Sequence, residues 1–450
     1  MPERDPAAPA PPRPSCVLVV HNRYRIRGGE DSVFEAECRM LEEAGIRVVR
    51  YEKSNDDIPD RGGRLGLALR TVWNPATVRE VRALIRLEKP DVVHCHNTFP
   101  LISPSIYYAA AREGVPVVQT LHNYRLACLD GYLFRDGRVC ERCLGRAPLP
   151  GVCRRCYRGS LSASATLAAM LLFHRLLGTW RRKVTRYIAL TAFAREKFVQ
   201  AGLPAGKISV KPNAFVASDE GVGLRATVER SGASAPGRQQ RVVYVGRLSS
   251  EKGVDVLLRA WALLQKEGGA DQNARPSQAP GGPGTAAPRH GPAPTCKIIG
   301  DGPERAALEG LAAELGIASS VRFLGALPRE AALRELAASD LLVFPSLWYE
   351  QFAITPLEAM ALGVPVLVSD VARSGTVIEN GVTGRFFPSG DSAALASALR
   401  DLLSDPAALR RMGDAARAAF EASDCRLDRN LARLLSVYAS ARGDGIRKVK

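Results

Sequence analysis

Twice along this chain, short β-branched and apolar runs alternate with stretches of helical periodicity, and that alternation limits the fold more than any other feature. The first series reads "CVLVVHN", "IRVVRY", "DVVHCH", "VPVVQTLHN", "YIALT" and "ISVKPN"; the second reads "RVVYVG", "CKIIGDGPE", "VRFLG", "DLLVFPS" and "VPVLVSD". Strands separated by helices pair in parallel. Runs that are apolar almost throughout belong to a sheet covered on both faces. The first helical pattern, about 31–44, shows how the cover is made. Val33, Ala36, Met40, Leu41 and Ala44 share one stripe, Glu30 and Asp31 favour the N-terminal end, and Gly45 stops the helix. The chain therefore reads as two doubly wound α/β units in tandem.

Composition sets the boundaries. At 450 residues the chain exceeds what one core holds, and 46% apolar content fills two. Residues 1–14, rich in Pro and Ala without an apolar segment, read as a disordered tail and not as a signal peptide. Residues 15–216 form the expected N-terminal domain, interrupted by a Cys-rich insertion at about 125–186. Ser, Gly and Ala without periodicity mark 217–240 as a linker, and 241–425 as the second domain follows. Within it, the Pro/Gly/Ala-rich stretch 268–295 reads as a disordered insertion, and 426–450 as a terminal helix and tail. Ten cysteines are too few for a disulfide scaffold, which suits a reducing, cytoplasmic setting. The longest apolar run, 165–173, is cut by His174 and Arg175 and falls short of the roughly 20 residues that span a bilayer. A net charge of +16 attracts anions, whether nucleic acid, anionic lipid or a phosphorylated substrate; charge alone does not choose.

In doubly wound sheets ligands bind beyond the carboxyl ends of the strands. After "RVVYVG" come Arg247 and Lys252, with Gly246 and Gly253 permitting close backbone approach, an arrangement suited to phosphate. Two cations among 62 basic residues also read as solvated surface charges; their place after a strand weighs against that. Neither a P-loop nor a G-x-G-x-x-G fingerprint occurs. The second constellation follows "LLVFPS". Glu350 lies in the loop, while Thr355, Pro356 and Glu358 have the spacing of a capping box that opens a helix, so Glu358 has a purely structural reading as a cap. Amides around Phe352, Ala353, Ile354 and Thr355 would suit a pyrophosphate, and two carboxylates suit sugar hydroxyls.

"GRLSSEKG", "IIGDGPE", "VRFLG" and the glutamates at 350 and 358 closely resemble the C-terminal domain of family 4 glycosyltransferases, retaining enzymes of the GT-B fold (glycosyl transferases group 1). "GGEDSV", "PDVVHCHN", "PVVQTLHNY" and "VKPN" resemble that family's acceptor domain, so the resemblance covers most of 15–425. It implies two Rossmann-like domains facing each other across a cleft. It further implies that Arg247 and Lys252 neutralise the leaving nucleotide diphosphate, that Glu358 binds the ribose, and that Glu350 with the 352–355 backbone holds the donor sugar. Leu327 would border the base, Gly28 and Gly29 would approach the diphosphate from the other domain, and His122 would contact the donor sugar. One departure is visible: Ala353 stands where the family usually has Gly, and its methyl group bears on loop geometry and sugar fit.

Three further features carry expectations. His21, His94, His96 and His122 all fall near strand ends in the first domain, an unusual concentration for six histidines. Cys140 and Cys143, then Cys153 and Cys156, form two CxxC pairs with Cys128 nearby; a structural zinc and unpaired thiols are both open readings, and neither serves catalysis. At 171–186, Leu171, Leu172, Leu176, Leu177 and Trp180 combine with Arg175, Arg181, Arg182 and Lys183. The pattern fits a packed surface helix or one lying on an anionic membrane, the latter implying a lipid-linked acceptor. The expected activity is transfer of a sugar from a UDP- or GDP-linked donor to an acceptor hydroxyl in polysaccharide or glycolipid biosynthesis, without a catalytic metal or nucleic-acid partner. A nucleotide-sugar epimerase and a zinc-containing nucleic-acid binder are the rival readings.

Overall fold

A computed structural model describes residues 13–25, 28–58, 63–215, 239–273, 292–372 and 377–446. The expected linker, except for 239–240, and most of the N-terminal tail lie outside the described residues. The apolar runs of the first series become β1 (Cys16–Arg23), β2 (Arg47–Ser54), β3 (Val92–Cys95), β4 (Val117–Leu121), β5 (Arg186–Ala189) and β6 (Ile208–Val210). They form one parallel sheet in the order β2-β1-β3-β4-β5-β6. The second series gives β7 (Arg241–Val245), β8 (Thr295–Ile299), β9 (Val321–Gly325), β10 (Leu341–Phe344) and β11 (Val366–Ser369), and a strand outside that series, β12 (Gly384–Phe387), joins them. These are parallel in the order β9-β8-β7-β10-β11-β12. β3, β4, β10 and β11 are buried along their whole length, as strands covered on both faces must be.

The first helix forms where its stripe places it, but the face it buries is shifted: Val33, Ala36 and Ala44 are only half-buried. The Gly29–Glu43 helix buries Phe34, Cys38, Met40 and Leu41, and Gly45 ends it with φ of 77°. In the second unit Trp261 is fully buried, and its indole N–H donates to Ser320 Oγ at 3.0 Å. The helix bearing it, Val254–Asn273, runs on past the insertion boundary expected at 268, and β8 starts at Thr295; residues 274–291 lie outside the described residues. Paired glycines at 268 and 269 lower helix propensity without breaking a helix already anchored by a buried face.

Chain contacts divide the molecule into two units. One contains residues up to 135, 140–216 and 424–450; the other contains 136–139 and 217–423. The Leu427–Ile446 helix thus belongs to the first unit: Leu434, Val437, Tyr438 and Ala441 join Val17, Val19, Phe34 and Val92 in one apolar cluster.

Strand order locates the candidate sites. The second sheet reverses direction between β7 and β10, and the first between β1 and β3. At such switch points adjacent connections run to opposite faces and leave a crevice at the carboxyl ends.

Candidate active site

In the second unit the crevice is built from the residues after β7 and after β10. β7 runs into Gly246 and Arg247, a single 3-10 turn carries Ser250–Lys252, and Gly253 turns the chain into the next helix with φ of 64°. A Cβ on Gly253 would stand 2.2 Å from the Pro345 carbonyl oxygen. The glycine therefore serves the protein's own packing, pressing the β7 loop onto the β10 loop, whereas the sequence suggested space for an anion. The consequence is that Lys252 Nζ reaches Glu350 Oε1 at 2.7 Å, while Ser346 Oγ donates to the same oxygen at 2.8 Å. The ammonium also lies 5.6 Å and 5.4 Å from the ring centres of Phe344 and Trp348. Lys252 is thereby fixed as a charge: a carboxylate and two aromatic faces hold it, and its side chain keeps only 17% exposure. Arg247 is more open, 55% exposed, and pairs with Glu251 at 2.7 Å.

The loop after β10 differs from its sequence reading. The helix begins at Ile354 and ends at Ala361, with Ala353 as its N-cap and no side-chain cap bond. Thr355 is inside the helix, so the expected Thr355–Glu358 capping box is not made. Glu358 instead takes an ion pair from Arg329 Nη2 at 3.1 Å. Burial lifts its carboxyl to about 7, against the opposing pull of Arg329. An uncapped start leaves first-turn amides without a side-chain acceptor, next to the fixed Lys252–Glu350 pair. Phe352 and Ala353 are buried. Ala353 has φ of −85°, which any residue adopts, and its methyl joins the cluster of Phe344, Ala359 and Val368. The departure from Gly is therefore absorbed by the core. Leu327 is half-buried against the same cluster. Gln351 was not anticipated: it is buried, and neither amide atom has a hydrogen-bond partner. Its signal in the sequence is a polar residue between Glu350 and Phe352 where the chain turns inward.

The first unit gathers the histidines. His122 follows β4 and its Nε2 is 2.9 Å from His96 Nδ1, with the rings stacked at 5.1 Å. His94 Nε2 contacts Thr120 Oγ1 and its Nδ1 contacts the Tyr438 hydroxyl, each at 2.8 Å. His21 Nε2 is 2.9 Å from Asp31 Oδ1. Burial holds His122 well below the usual imidazole range and His94 at about 3, each with a further push from His96, so both are neutral. Beneath them lies a buried ion pair the sequence reading missed. Lys211 Nζ reaches Glu37 Oε2 at 2.8 Å, and His94 Nδ1 is 3.1 Å from Glu37 Oε1. Burial opposes charge on Glu37, and Lys211 overcomes it, holding the carboxyl well below its ordinary value. Glu37, His94 and His96 place ligand atoms within 4.8 Å of one another. The Lys211 ammonium already supplies the cation there, which accounts for the group without a metal. The available clue was Lys211 itself, directly after β6 in "VKPN".

His122, Asn97, Asn123 and Arg125 line a cavity of about 60 Å³. Arg125 lies 4.7 Å from the Phe99 ring centre and 5.3 Å from that of Tyr157. Gly28 caps the Gly29–Glu43 helix, and its N–H donates to Asp31 Oδ2 at 2.8 Å. A Cβ on Gly28 would meet nothing nearer than that oxygen, at 3.8 Å, so the packing of the protein does not itself demand glycine there.

The expected zinc ligands divide. Cys140, Cys143 and Cys156 line one cavity with Cys128, while Cys153 is exposed and absent from its wall. The apolar stripe expected over 171–186 is split by Gly178, whose φ is 67°. The Leu161–Leu176 helix ends before it and Thr179–Arg182 begins anew, so Leu171 and Trp180 are buried but Leu176 is 87% exposed.

Two parallel sheets with these crevices define a two-domain α/β protein of the GT-B fold. The family description "Glycosyl transferases group 1" matches residues 227–419, and "Glycosyl transferase 4-like domain" matches residues 16–214. The chain belongs to the group 1 glycosyltransferases. It is 34% identical over 230 residues to D-inositol 3-phosphate glycosyltransferase of Nocardia farcinica, a match covering 51% of this chain and 47% of that protein. This match spans about half the length of that relative. Glycogen synthase of Mycobacterium tuberculosis is 28% identical over 346 residues, with coverage of 75% and 68%. Among solved structures, sucrose-phosphate synthase from Thermosynechococcus elongatus aligns with a TM-score of 0.62 at 17% identity, covering 97% of this chain and 99% of that one. HepE of Anabaena, solved with UDP and glucose, aligns with a TM-score of 0.59 at 18% identity, covering 93% and 98%. These relatives are named as transferases and synthases, and the epimerase reading is not favoured.

Proposed function

We propose that this protein transfers a sugar from a nucleotide diphosphate donor to an acceptor hydroxyl with retention of configuration, in polysaccharide or glycolipid synthesis. The observation that carries the reading is the Lys252–Glu350 pair at 2.7 Å beside an uncapped helix start. Lys252, Arg247 and the amides of Ile354 and Thr355 would meet the charge that develops on the departing diphosphate, which is the largest requirement of such a reaction. Cations fixed before substrate arrives need no reorganisation, and they give the leaving group a partner without a divalent metal. Glu350, held by Lys252 and Ser346, is placed to accept sugar hydroxyls more readily than to attack carbon. The buried amide of Gln351 would find partners on the same sugar. Glu358, when ionised, would accept the ribose hydroxyls. With no free base assigned, the leaving phosphate oxygen takes the acceptor proton on the face where the new bond forms, which preserves the anomeric configuration. HepE, solved with UDP-glucose, supports a UDP-linked donor; a GDP-linked donor suits the same cations.

The acceptor would enter beside Asn97, Asn123 and Arg125, whose cavity also presents His122 to the donor sugar, and we place that acceptor on a lipid carrier at an anionic membrane. Supporting this, the adjacent Arg64–Val72 and Leu161–Leu176 helices expose Leu65, Leu69, Phe173 and Leu176 beside Arg70 and Arg175. Among the described residues no helix is long and apolar enough to cross a membrane. The test is incubation of UDP- and GDP-sugars with lipid-linked and soluble acceptors, with and without EDTA, followed by NMR of the product anomer. Acceptor-dependent nucleotide release with an unchanged anomer supports the proposal; an altered donor formed without acceptor, or an inverted product, overturns it.

A further inference from the structure

From Arg125 to Ser160 the chain is mostly turns, with one short helix at Leu149–Cys153 and a two-stranded ribbon of Phe134–Arg135 and Arg138–Val139, yet Leu129 and Leu133 are fully buried. A long irregular segment with so few apolar anchors needs another source of order. Its backbone is also forced: Leu133, Arg155 and Arg158 take φ of 51°, 52° and 53°, conformations that persist in non-glycine residues only where the surroundings dictate them.

Four sulfurs lie at the centre of this segment. Cys128, Cys140, Cys143 and Cys156 line one cavity of about 20 Å³, room for a single water-sized sphere. They come from a turn, from the two ends of a CxxC, and from the far side of the short helix. Burial and the three neighbouring thiols push Cys143 up to about 11, a price for clustering sulfurs that no contact within the cluster offsets. The surroundings nevertheless suit negative sulfur. Burial raises the Cys128 thiol against the opposing pull of the Gly131, Leu133 and Asp130 amides, as it raises Cys143 against that of the Gly151 amide. Arg135 Nη1 stands 3.2 Å from Cys156 Sγ. Amide and guanidinium donors around cysteine sulfur are what a bound thiolate needs and a weakly accepting neutral thiol does not.

We propose that Cys128, Cys140, Cys143 and Cys156 bind one zinc ion as a closed, structural tetrathiolate site, with Cys153 excluded. Soft thiolates select zinc among common divalent ions, and four protein sulfurs leave no open position for chemistry. Binding replaces the four thiol protons with one dication, leaving two negative charges that Arg135, Arg142 and Arg154 of the cavity wall offset. Four sulfurs about 2.3 Å from one ion stand about 3.8 Å apart. Among the described residues no three of these sulfurs lie within 4.8 Å of one another, so the ion draws them inward over the cavity. The site pins the irregular segment without a disulfide.

The test uses the full chain purified under reducing conditions, with zinc measured by mass spectrometry. Wild type and Cys153→Ser are expected to hold about one zinc per chain, and Cys128→Ser less than about a tenth of that. Because Cys128→Ser could fail by misfolding, folded wild type is also stripped and loaded with Co²⁺, whose absorption should show the intense bands of tetrahedral thiolate ligation. Zinc lost from Cys153→Ser but kept by Cys128→Ser overturns the ligand set. No uptake of Zn²⁺ or Co²⁺ by the reduced wild type, or an octahedral cobalt spectrum, overturns the site.

Discussion

Removing the positive charge of Lys252 separates its structural work from its chemical work. Its Nζ is 2.7 Å from Glu350 Oε1, and the two side chains are 17% and 7% exposed. Taking the cation from a buried pair costs about 3–5 kcal/mol; the partial exposure of Lys252 places Lys252→Met near the lower end, about 3 kcal/mol. Replacing both partners by neutral groups is far less costly, so adding Glu350→Gln should return about 2 kcal/mol of the loss. Turnover should not follow. If Lys252 neutralises the leaving diphosphate, Lys252→Met loses about 10²–10³-fold in kcat, the usual effect of one missing electrostatic contact, and the double variant, which also lacks the sugar-holding carboxylate, loses at least as much. Urea unfolding supplies the stabilities and acceptor-dependent nucleotide release supplies the rates. A double variant no more stable than Lys252→Met refutes the energetic argument, and recovery of turnover along with stability refutes the catalytic one.

Arg247→Ala should lower kcat by about 10²-fold while changing unfolding free energy by less than about 1 kcal/mol, because its pair with Glu251 is solvent-screened; equal losses of both would sink its assigned role. Glu358 has its folded pKa raised by burial from 4.5 to about 7, so the stability it contributes is complete below 4.5 and lost as pH rises through 7. Comparison with Glu358→Gln over that window should show a difference of roughly 3 kcal/mol, and UDP should bind wild type more tightly at pH 8 than at pH 6 with the variant flat. Gly253→Ala should cost about 2–4 kcal/mol, since its Cβ would meet the Pro345 carbonyl at a left-handed φ; a wild-type unfolding midpoint would show that the β7 and β10 loops are not locked together.

The strands were legible because apolar runs report burial directly, and the crevice residues because they follow those strands. Arg247, Lys252, Glu350 and Glu358 all lie in the second unit after β7 or β10. Partnerships between distant positions were not legible. Glu37 and Lys211 are separated by most of a domain, and only the folded sheet brings a helix face and a strand end together. The alternative reading of Glu358 as a cap fails for a local reason: the spacing from Thr355 fits a cap, but the buried turn at Phe352 and Ala353 starts the helix earlier and leaves the carboxylate to Arg329. Gly253 looked like room for a ligand because sequence cannot tell whose backbone will approach, and here it is that of Pro345. The cysteine cavity likewise depends on the folded chain. Spacing favours two adjacent CxxC pairs, whereas the turn at Cys128 and the helix at Leu149–Cys153 choose which sulfurs point inward.

The Leu427–Ile446 helix gives the first unit a debt to the distant end of the chain. Tyr438 bonds His94, and Leu434, Val437 and Ala441 complete the cluster around Val17 and Phe34. A ribosome therefore releases the second unit's contiguous stretch, 217–423, before the N-terminal sheet can acquire its last wall. Nascent protein would hold an unfinished apolar surface while its later half is already complete, reversing the usual order of maturation. Clipping the chain after Ser423 should consequently unfold the histidine-lined region, although every residue of that region remains in the polypeptide.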